Sequence, residues 1–173
     1  FNPIANMVEF LFAPANIAEK IEHQAQEIAA KIISKLDMVG LLAIEFFLSK
    51  SGELLVNEIA PRPHNSGHQS IEGNYSSQFD QHIRAILKLP LGHTNMTKPS
   101  VMINLLGEEG FEGIAIYEGV NEIMALEGVN VHLYGKTKTK SFRKMGHVTV
   151  VAESLETAKT IAKKVKETIK IKA

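Results

Sequence analysis

The chain contains no cysteine, so disulfides and thiolate metal sites are excluded. It has no surplus of either charge, with nineteen basic residues balancing nineteen acidic ones. That balance gives no bulk electrostatic reason to expect DNA, RNA or an anionic membrane as partner. Its apolar runs are far too short to span a bilayer, and no signal peptide is evident. Neither a Walker-type glycine loop nor a dinucleotide-binding fingerprint is present. These absences predict a cytoplasmic protein. The chain also lacks an initiator Met, opening on Phe1, and is expected to be a fragment.

What is present is a globular composition, 45% apolar over 173 residues, enough for one domain or one and a fraction. Its densest polar stretch is Asn57-Glu58-Ile59-Ala60-Pro61-Arg62-Pro63-His64-Asn65-Ser66-Gly67-His68, directly after the apolar Leu54-Leu55-Val56. The prolines remove ladder donors, so the strand must stop near Ala60. An ordered polar loop at the C-terminal end of a strand is a common place for a site.

The surrounding pattern predicts an α+β chain. Phe1 to Pro14 reads as irregular or a short strand, its Asn6 and Glu9 being surface residues or ligands. Asn16 and Glu19 form a capping-box-like start to a helix, with Ile17, Ile21, Ile28, Ile32 and Leu36 at helical spacing. Val39–Leu48 and Glu53–Ala60 read as a hairpin. Ser76 or Ser77 caps a helix from Gln78 to Leu89, ended by Pro90. Beyond Pro99 come strands at Val101–Leu106, Val129–Tyr134 and His147–Ala152. A turn-rich acidic loop spans Gly107–Gly113, and a short helix is expected in Gly119–Leu126. A last helix has an apolar face of Leu155, Ala158, Ile161, Ala162, Val165 and Ile169 and a solvated lysine face.

The hairpin permits a geometric argument. With a loop of two or four residues, Glu45 lies opposite Val56, and Glu58 is its diagonal neighbour on the same face. Diagonal Cβ atoms are separated by roughly 7 Å or less, so the two carboxylates can share a divalent cation. Glu45 sits within Leu41-Leu42-Ala43-Ile44-Glu45-Phe46-Phe47-Leu48, where a lone ionised carboxylate is costly to bury. Either both glutamates line a solvated sheet face, or they hold a metal. Oxygen-only ligation suits Mg²⁺, which completes its shell with water and phosphate.

Arg62 suits bidentate recognition of a carboxylate, bicarbonate or phosphate. Asn65-Ser66-Gly67 offers backbone amides to an anion. His64 and His68 are spaced i, i+4 but lack a third zinc ligand, which favours polar substrate contacts over zinc. Between the last two strands runs Tyr134-Gly135-Lys136-Thr137-Lys138-Thr139-Lys140-Ser141-Phe142-Arg143-Lys144-Met145-Gly146-His147. This basic loop is either a phosphate site or a solvated hairpin tip.

Together, Glu45, the run from Asn57 to His68, and Lys136 with Arg143-Lys144-Met145-Gly146-His147 resemble the C-terminal half of the 5-(carboxyamino)imidazole ribonucleotide synthase family. The resemblance implies a partial ATP-grasp lobe, an antiparallel sheet with helices, at 1–98. A small β-rich domain with a terminal helix would follow at 99–173. It implies ATP-dependent carboxylation of aminoimidazole ribonucleotide by bicarbonate, with ATP and Mg²⁺ as cofactors. Glu45 and Glu58 would hold the metal, and Asn57 and Glu58 would adjoin the nucleotide. Arg62, Asn65 and Ser66 would orient bicarbonate or carboxyphosphate. His64 and His68 would line the substrate side, and Lys136, Arg143 and Lys144 would bind the ribonucleotide phosphate. The family is expected to be a homodimer, and this fragment to be inactive alone. The rival readings are another ATP-grasp ligase, such as a biotin carboxylase or a formate-dependent ribonucleotide transformylase, a non-catalytic module binding a phosphorylated ligand, and a dimerisation domain.

Overall fold

The computed structural model describes Ile4 and residues 7–173. Asn6 lies outside the described residues. Along the chain run β1 (Phe10–Ala13), α1 (Glu19–Leu36), β2 (Ala43–Leu48), β3 (Leu54–Ala60), α2 (Ser70–Gly73), α3 (Gln78–Ile86) and β4 (Ser100–Leu106). There follow β5 (Gly113–Ile114), β6 (Ile116–Glu118), α4 (Val120–Met124), β7 (Val129–Leu133), β8 (Lys138–Thr139), β9 (Lys144–Val151), α5 (Leu155–Thr168) and β10 (Lys170–Lys172). The strands pair antiparallel, in keeping with the expected α+β class. Two compact units result. Ala15–Asn95 forms one, and the segment up to Pro14 joins Met96–Ala173 in the other.

The C-terminal unit is built on a four-stranded sheet in the order β1-β4-β9-β7. Alternation along β4 sends Val101, Ile103 and Leu105 to one face, where they meet Val148 and Val150 of β9. Helix α5 lays Ala158, Ala162 and Val165 into the same core, with Ile123 of α4 and Ile171 of β10. Small residues on α5 let the helix approach the β-branched sheet face closely. Ser154 caps α5 by accepting the N–H of Thr157 at 3.1 Å, a contact that contributes about 1 kcal/mol. The opposite face carries Ser100, Met102, Asn104, His147 and Thr149. All five are buried, and most are polar. Asn104 donates its side-chain amide to the carbonyl of Val8 at 2.9 Å.

The 15–95 unit differs in its packing. Among its described residues, Ala60 is the one buried apolar side chain, and Phe47, Leu55, Val56 and Ile59 of the hairpin are exposed. Ser77 caps α3 by accepting the N–H of Asp80 at 3.2 Å, one of the two expected caps.

The expected elements need several corrections, among them β9, which begins at Lys144 rather than His147. Helix α1 starts at Glu19 after Ala18, with no side-chain cap, so Asn16 does not serve as N-cap. Strand β2 begins at Ala43 rather than Val39, and α3 ends at Ile86 rather than Leu89, the chain turning through Lys88 at φ 56°. The hairpin register is also different. Leu48 pairs with Leu54, leaving a five-residue connection in which Ser49 N–H donates to the Glu53 carbonyl and Ser49 Oγ accepts the Glu53 N–H, each at 2.9 Å. A bulge then shifts the ladder between Glu45 and Phe46. The short strands β5, β6, β8 and β10 had no pattern long enough to be read.

Candidate active site

The bulge decides the geometry of the carboxylates. Phe46 pairs with Val56 and Glu45 with Glu58, so Asn57 is the extra residue on β3. Glu45 and Glu58 are therefore direct cross-strand partners rather than diagonal neighbours. The turn moves the register by one residue and the bulge by one more. The two shifts together keep the pair on one face and bring it closer.

After Ala60 the chain turns away, and His64 returns to the carboxylates. Its Nδ1 lies 3.3 Å from Glu45 Oε1 and its Nε2 lies 3.5 Å from Glu58 Oε1. The imidazole is 13% exposed, while Glu45 and Glu58 are 34% and 52% exposed. Ser66 Oγ lies 2.9 Å from the same Nδ1. Glu45, Glu58, His64 and Ser66 thus form one polar cluster.

The remaining loop residues divide. Arg62 donates through Nη1 to the carbonyl of Pro63 at 3.0 Å, on the exposed side. Asn65–Gly67 forms one turn of 3₁₀ helix. The N–H of Gly67 donates to His64 at 3.0 Å, so this amide is committed to the turn and is not offered to an anion as expected. The His68 ring is stacked on Phe79 with centroids 5.5 Å apart.

Among the described residues, no group of three or more His, Asp and Glu side chains is arranged to hold a metal ion. A two-carboxylate set nevertheless fits Mg²⁺, which is normally held by one or two carboxylates plus water and phosphate.

The basic loop lies in the C-terminal unit, between β7 and β9. Lys136 donates its ammonium to the carbonyl of Lys144 and sits over the ring of Tyr134, 5.5 Å from its centroid. Arg143 donates through Nη1 to the Lys138 carbonyl at 2.8 Å. Desolvation, then the charges of Arg143 and Lys144, hold the Lys136 ammonium below the usual lysine pKa. Among the described residues no carboxylate pairs with Lys136, so the local field stays positive.

Several supporting contacts were not foreseen from the sequence. The Tyr134 hydroxyl lies 3.1 Å from Nδ1 of buried His147, whose ring stacks on His132 with centroids 4.4 Å apart. His132 and Tyr134 alternate along a strand, and that spacing was the available signal. Gln78 contacts both loop histidines, and no local motif announces it.

Comparison with known proteins gives the class. Residues 3–79 match the ATP-grasp domain family, and residues 100–161 match the phosphoribosylaminoimidazole carboxylase C-terminal domain family. The chain is 46% identical over 140 residues to N5-carboxyaminoimidazole ribonucleotide synthase of Bacillus subtilis, spanning 81% of this chain and 35% of that protein. It is similar to the crystal structure of N5-carboxyaminoimidazole ribonucleotide synthetase from Thermotoga maritima, with TM-score 0.91 and 51% identity. That likeness covers 95% of this chain and 46% of the other. It is also similar to the N5-carboxyaminoimidazole synthase of Aspergillus clavatus in complex with ADP and 5-aminoimidazole ribonucleotide. There the TM-score is 0.83 and the identity 35%, over 94% of this chain and 44% of that one.

These matches define an ATP-grasp protein carrying a carboxylase-type C-terminal domain. Within that class, the chain is strongly homologous to the N5-carboxyaminoimidazole ribonucleotide synthases. It spans about a third of the length of the curated bacterial relatives it matches. Among the described residues, no helix is long and apolar enough to cross a membrane.

Proposed function

We propose that this chain supplies the metal-holding and ribonucleotide-phosphate-binding parts of an ATP-dependent carboxylase. The reaction joins bicarbonate to the amine of 5-aminoimidazole ribonucleotide, giving the N5-carboxylated product, ADP and phosphate. The observation that carries this reading is the direct opposition of Glu45 and Glu58 across β2 and β3, in a chain homologous to the synthases over most of its length.

Glu45 and Glu58 would hold Mg²⁺, which when bound neutralises charge on the ATP phosphates. Bicarbonate is a poor electrophile until a phosphoryl group is transferred to it, and its oxygen attacks the γ-phosphorus as ADP leaves. Asn57, displaced by the bulge, borders the nucleotide. Arg62 with Asn65 and Ser66 orients bicarbonate and its carboxyphosphate, offsetting the negative charge gathered there. His64 bridges the metal-holding carboxylates to the loop, and His68 lines the substrate side. Lys136, Arg143 and Lys144 receive the phosphate of the ribonucleotide.

The roles follow the two units. The 15–95 unit would serve as the metal and nucleotide lobe and the other unit would receive the ribonucleotide phosphate; the segment up to Pro14 groups with Met96–Ala173, not with the lobe expected at 1–98. A cytoplasmic homodimer completes the reading, carried by the family resemblance.

The test joins this chain to the N-terminal part of the Thermotoga maritima synthetase and follows ADP formation. The expected result is turnover that needs both bicarbonate and aminoimidazole ribonucleotide and is lost in Glu58→Gln. The chain alone is expected to show no turnover. A soluble chimera that hydrolyses ATP equally without the ribonucleotide would overturn the reading.

A further inference from the structure

Gln78 is buried at the start of α3, yet its side chain serves the loop before it. Its Oε1 accepts the backbone N–H of His64 at 2.8 Å. Its Nε2 donates to the backbone carbonyl of the same residue at 2.7 Å and lies 2.9 Å from Nδ1 of His68. One carboxamide thus closes a two-bond pair with His64 and touches a second ring.

The backbone settles the orientation of the amide. An N–H must face the oxygen and a carbonyl must face the NH₂, so the two ends of Gln78 cannot be exchanged. The NH₂ then has one hydrogen for the His64 carbonyl and the other for His68. Nδ1 of His68 must accept that hydrogen, and the proton of the neutral ring sits on Nε2. The ring is stacked on Phe79, within 25° of parallel, which limits its rotation. The main-chain N–H of Gln78 donates to Ser70 Oγ at 3.0 Å. A Cβ on Gly67 would fall 2.5 Å from Gln78 Oε1, so a side chain there would displace the Gln78 carboxamide from its place.

We propose that Gln78 is a positioning residue of this site, holding the His64 backbone and fixing His68 as the Nε2–H tautomer. His68 then meets a ligand as a hydrogen-bond donor to oxygen, and a protonated Nε2 can neither bind a metal nor take up a proton. The proposal rests on the functional reading above only in taking His68 to face substrate. The tautomer follows from the geometry alone.

Two-bond ¹H–¹⁵N correlation of the 173-residue chain, at a pH where the ring is neutral, tests the tautomer directly. The expected spectrum shows a protonated Nε2 and an unprotonated Nδ1 without averaging. Gln78→Glu replaces the donor to Nδ1 by an acceptor, and a proton is expected to appear on Nδ1. Gln78→Met removes the donor without adding charge and is expected to leave the two tautomers averaged. An averaged or Nδ1–H spectrum in the unaltered chain would overturn the proposal, and that spectrum decides even where a variant fails to fold. In the chimera, His68→Gln keeps a donor near the Nε2 position. It is expected to retain about tenfold more kcat/KM for the ribonucleotide than His68→Leu, the worth of one hydrogen bond. Equal losses would refute the donor role. A chimera without ribonucleotide-dependent turnover refutes the functional reading, while the tautomer is still judged by the spectrum.

Discussion

Gly146 offers the sharpest test of how the C-terminal sheet is assembled. It lies in β9 between two neighbours, paired with Leu105 of β4 and Leu133 of β7. A Cβ at this position would stand 2.4 Å from the carbonyl oxygen of His132 and 3.3 Å from Leu105 Cδ1 and Leu133 Cα. Real Cβ contacts essentially never fall under 3.0 Å, so in Gly146→Ala the β7 backbone must retreat by at least about 0.6 Å, the difference between those two distances. The obstacle is main chain on a paired strand, which cannot rotate away as a side chain would. Overpacking of this kind costs about 1–3 kcal/mol. Weakening a flanking bond such as Tyr134 N–H to the Met145 carbonyl, now 3.0 Å, adds about 1 kcal/mol. Replacing glycine within a strand returns about 0.5–1 kcal/mol in backbone entropy. The net is a destabilisation of about 2 kcal/mol, which lowers Tm by about 8–16 °C in a unit of roughly a hundred residues. Thermal unfolding, combined with hydrogen exchange at the Val148 and Val150 amides, measures it. A Gly146→Ala chain as stable as its parent would show that the approach of β7 is not rigid, and the argument would fail.

Other consequences are equally open to measurement. Glu58→Gln in the chimera should weaken Mg²⁺-dependent nucleotide binding by at least about 10–100-fold, the loss typical of groups that merely support a ligand, and unchanged Mg²⁺ dependence would remove the carboxylate from the metal site. The Lys136 ammonium, disfavoured by desolvation and by Arg143 and Lys144, should titrate below an ordinary lysine. The folded state therefore sheds this proton before the unfolded chain does. Its contribution opposes folding below the folded-state pKa and is relieved as pH rises from that value toward the ordinary lysine range. Lysine-selective NMR should show the depressed pKa, and added ribose 5-phosphate should raise it. A normal, phosphate-insensitive pKa would contradict the crowded-cation account. Tyr134→Phe removes the hydroxyl that reaches His147 and keeps the ring beneath Lys136. It should raise KM for the ribonucleotide by a few-fold with little change in kcat, and an effect confined to kcat would point to a different role.

Much of the fold was written in local pattern. The alternation of Val101, Ile103 and Leu105, and the helical spacing of Leu155, Ala158, Ala162 and Val165, predicted the two elements that make the core. The carboxylate pair was legible because a charged residue inside an apolar strand demands a reason. Its register was not. Loop length and bulge position depend on the Ser49 hydrogen bonds and on Asn57 leaving the ladder, and neither has a periodic signature. Asn16 illustrates a competing outcome, in which a good capping residue stands ahead of a helix that starts uncapped at Ala18. The roles of His64 and Gln78 were hidden for another reason. Contacts across fourteen and ten residues, from Gln78 back to His64 and His68, arise only when the loop folds onto α3. The strands of two or three residues are fixed by their partners rather than by their own propensities, so β5, β8, β6 and β10 had nothing to announce them.

The two unlike faces of the four-stranded sheet act as a parity check on its assembly. A slip of one residue between β9 and β4 would exchange the faces. His147 and Thr149 would then press against Ala158 and Ala162 of α5, and Val148 and Val150 would take their places among Asn104 and Ser100. Every wrong register of odd step thus places polar groups in the apolar layer, and the nearest self-consistent alternative is two residues away. A sheet with two apolar faces would have no such safeguard. In this chain the polar second face makes an odd-step register costly against the apolar layer that α5 covers.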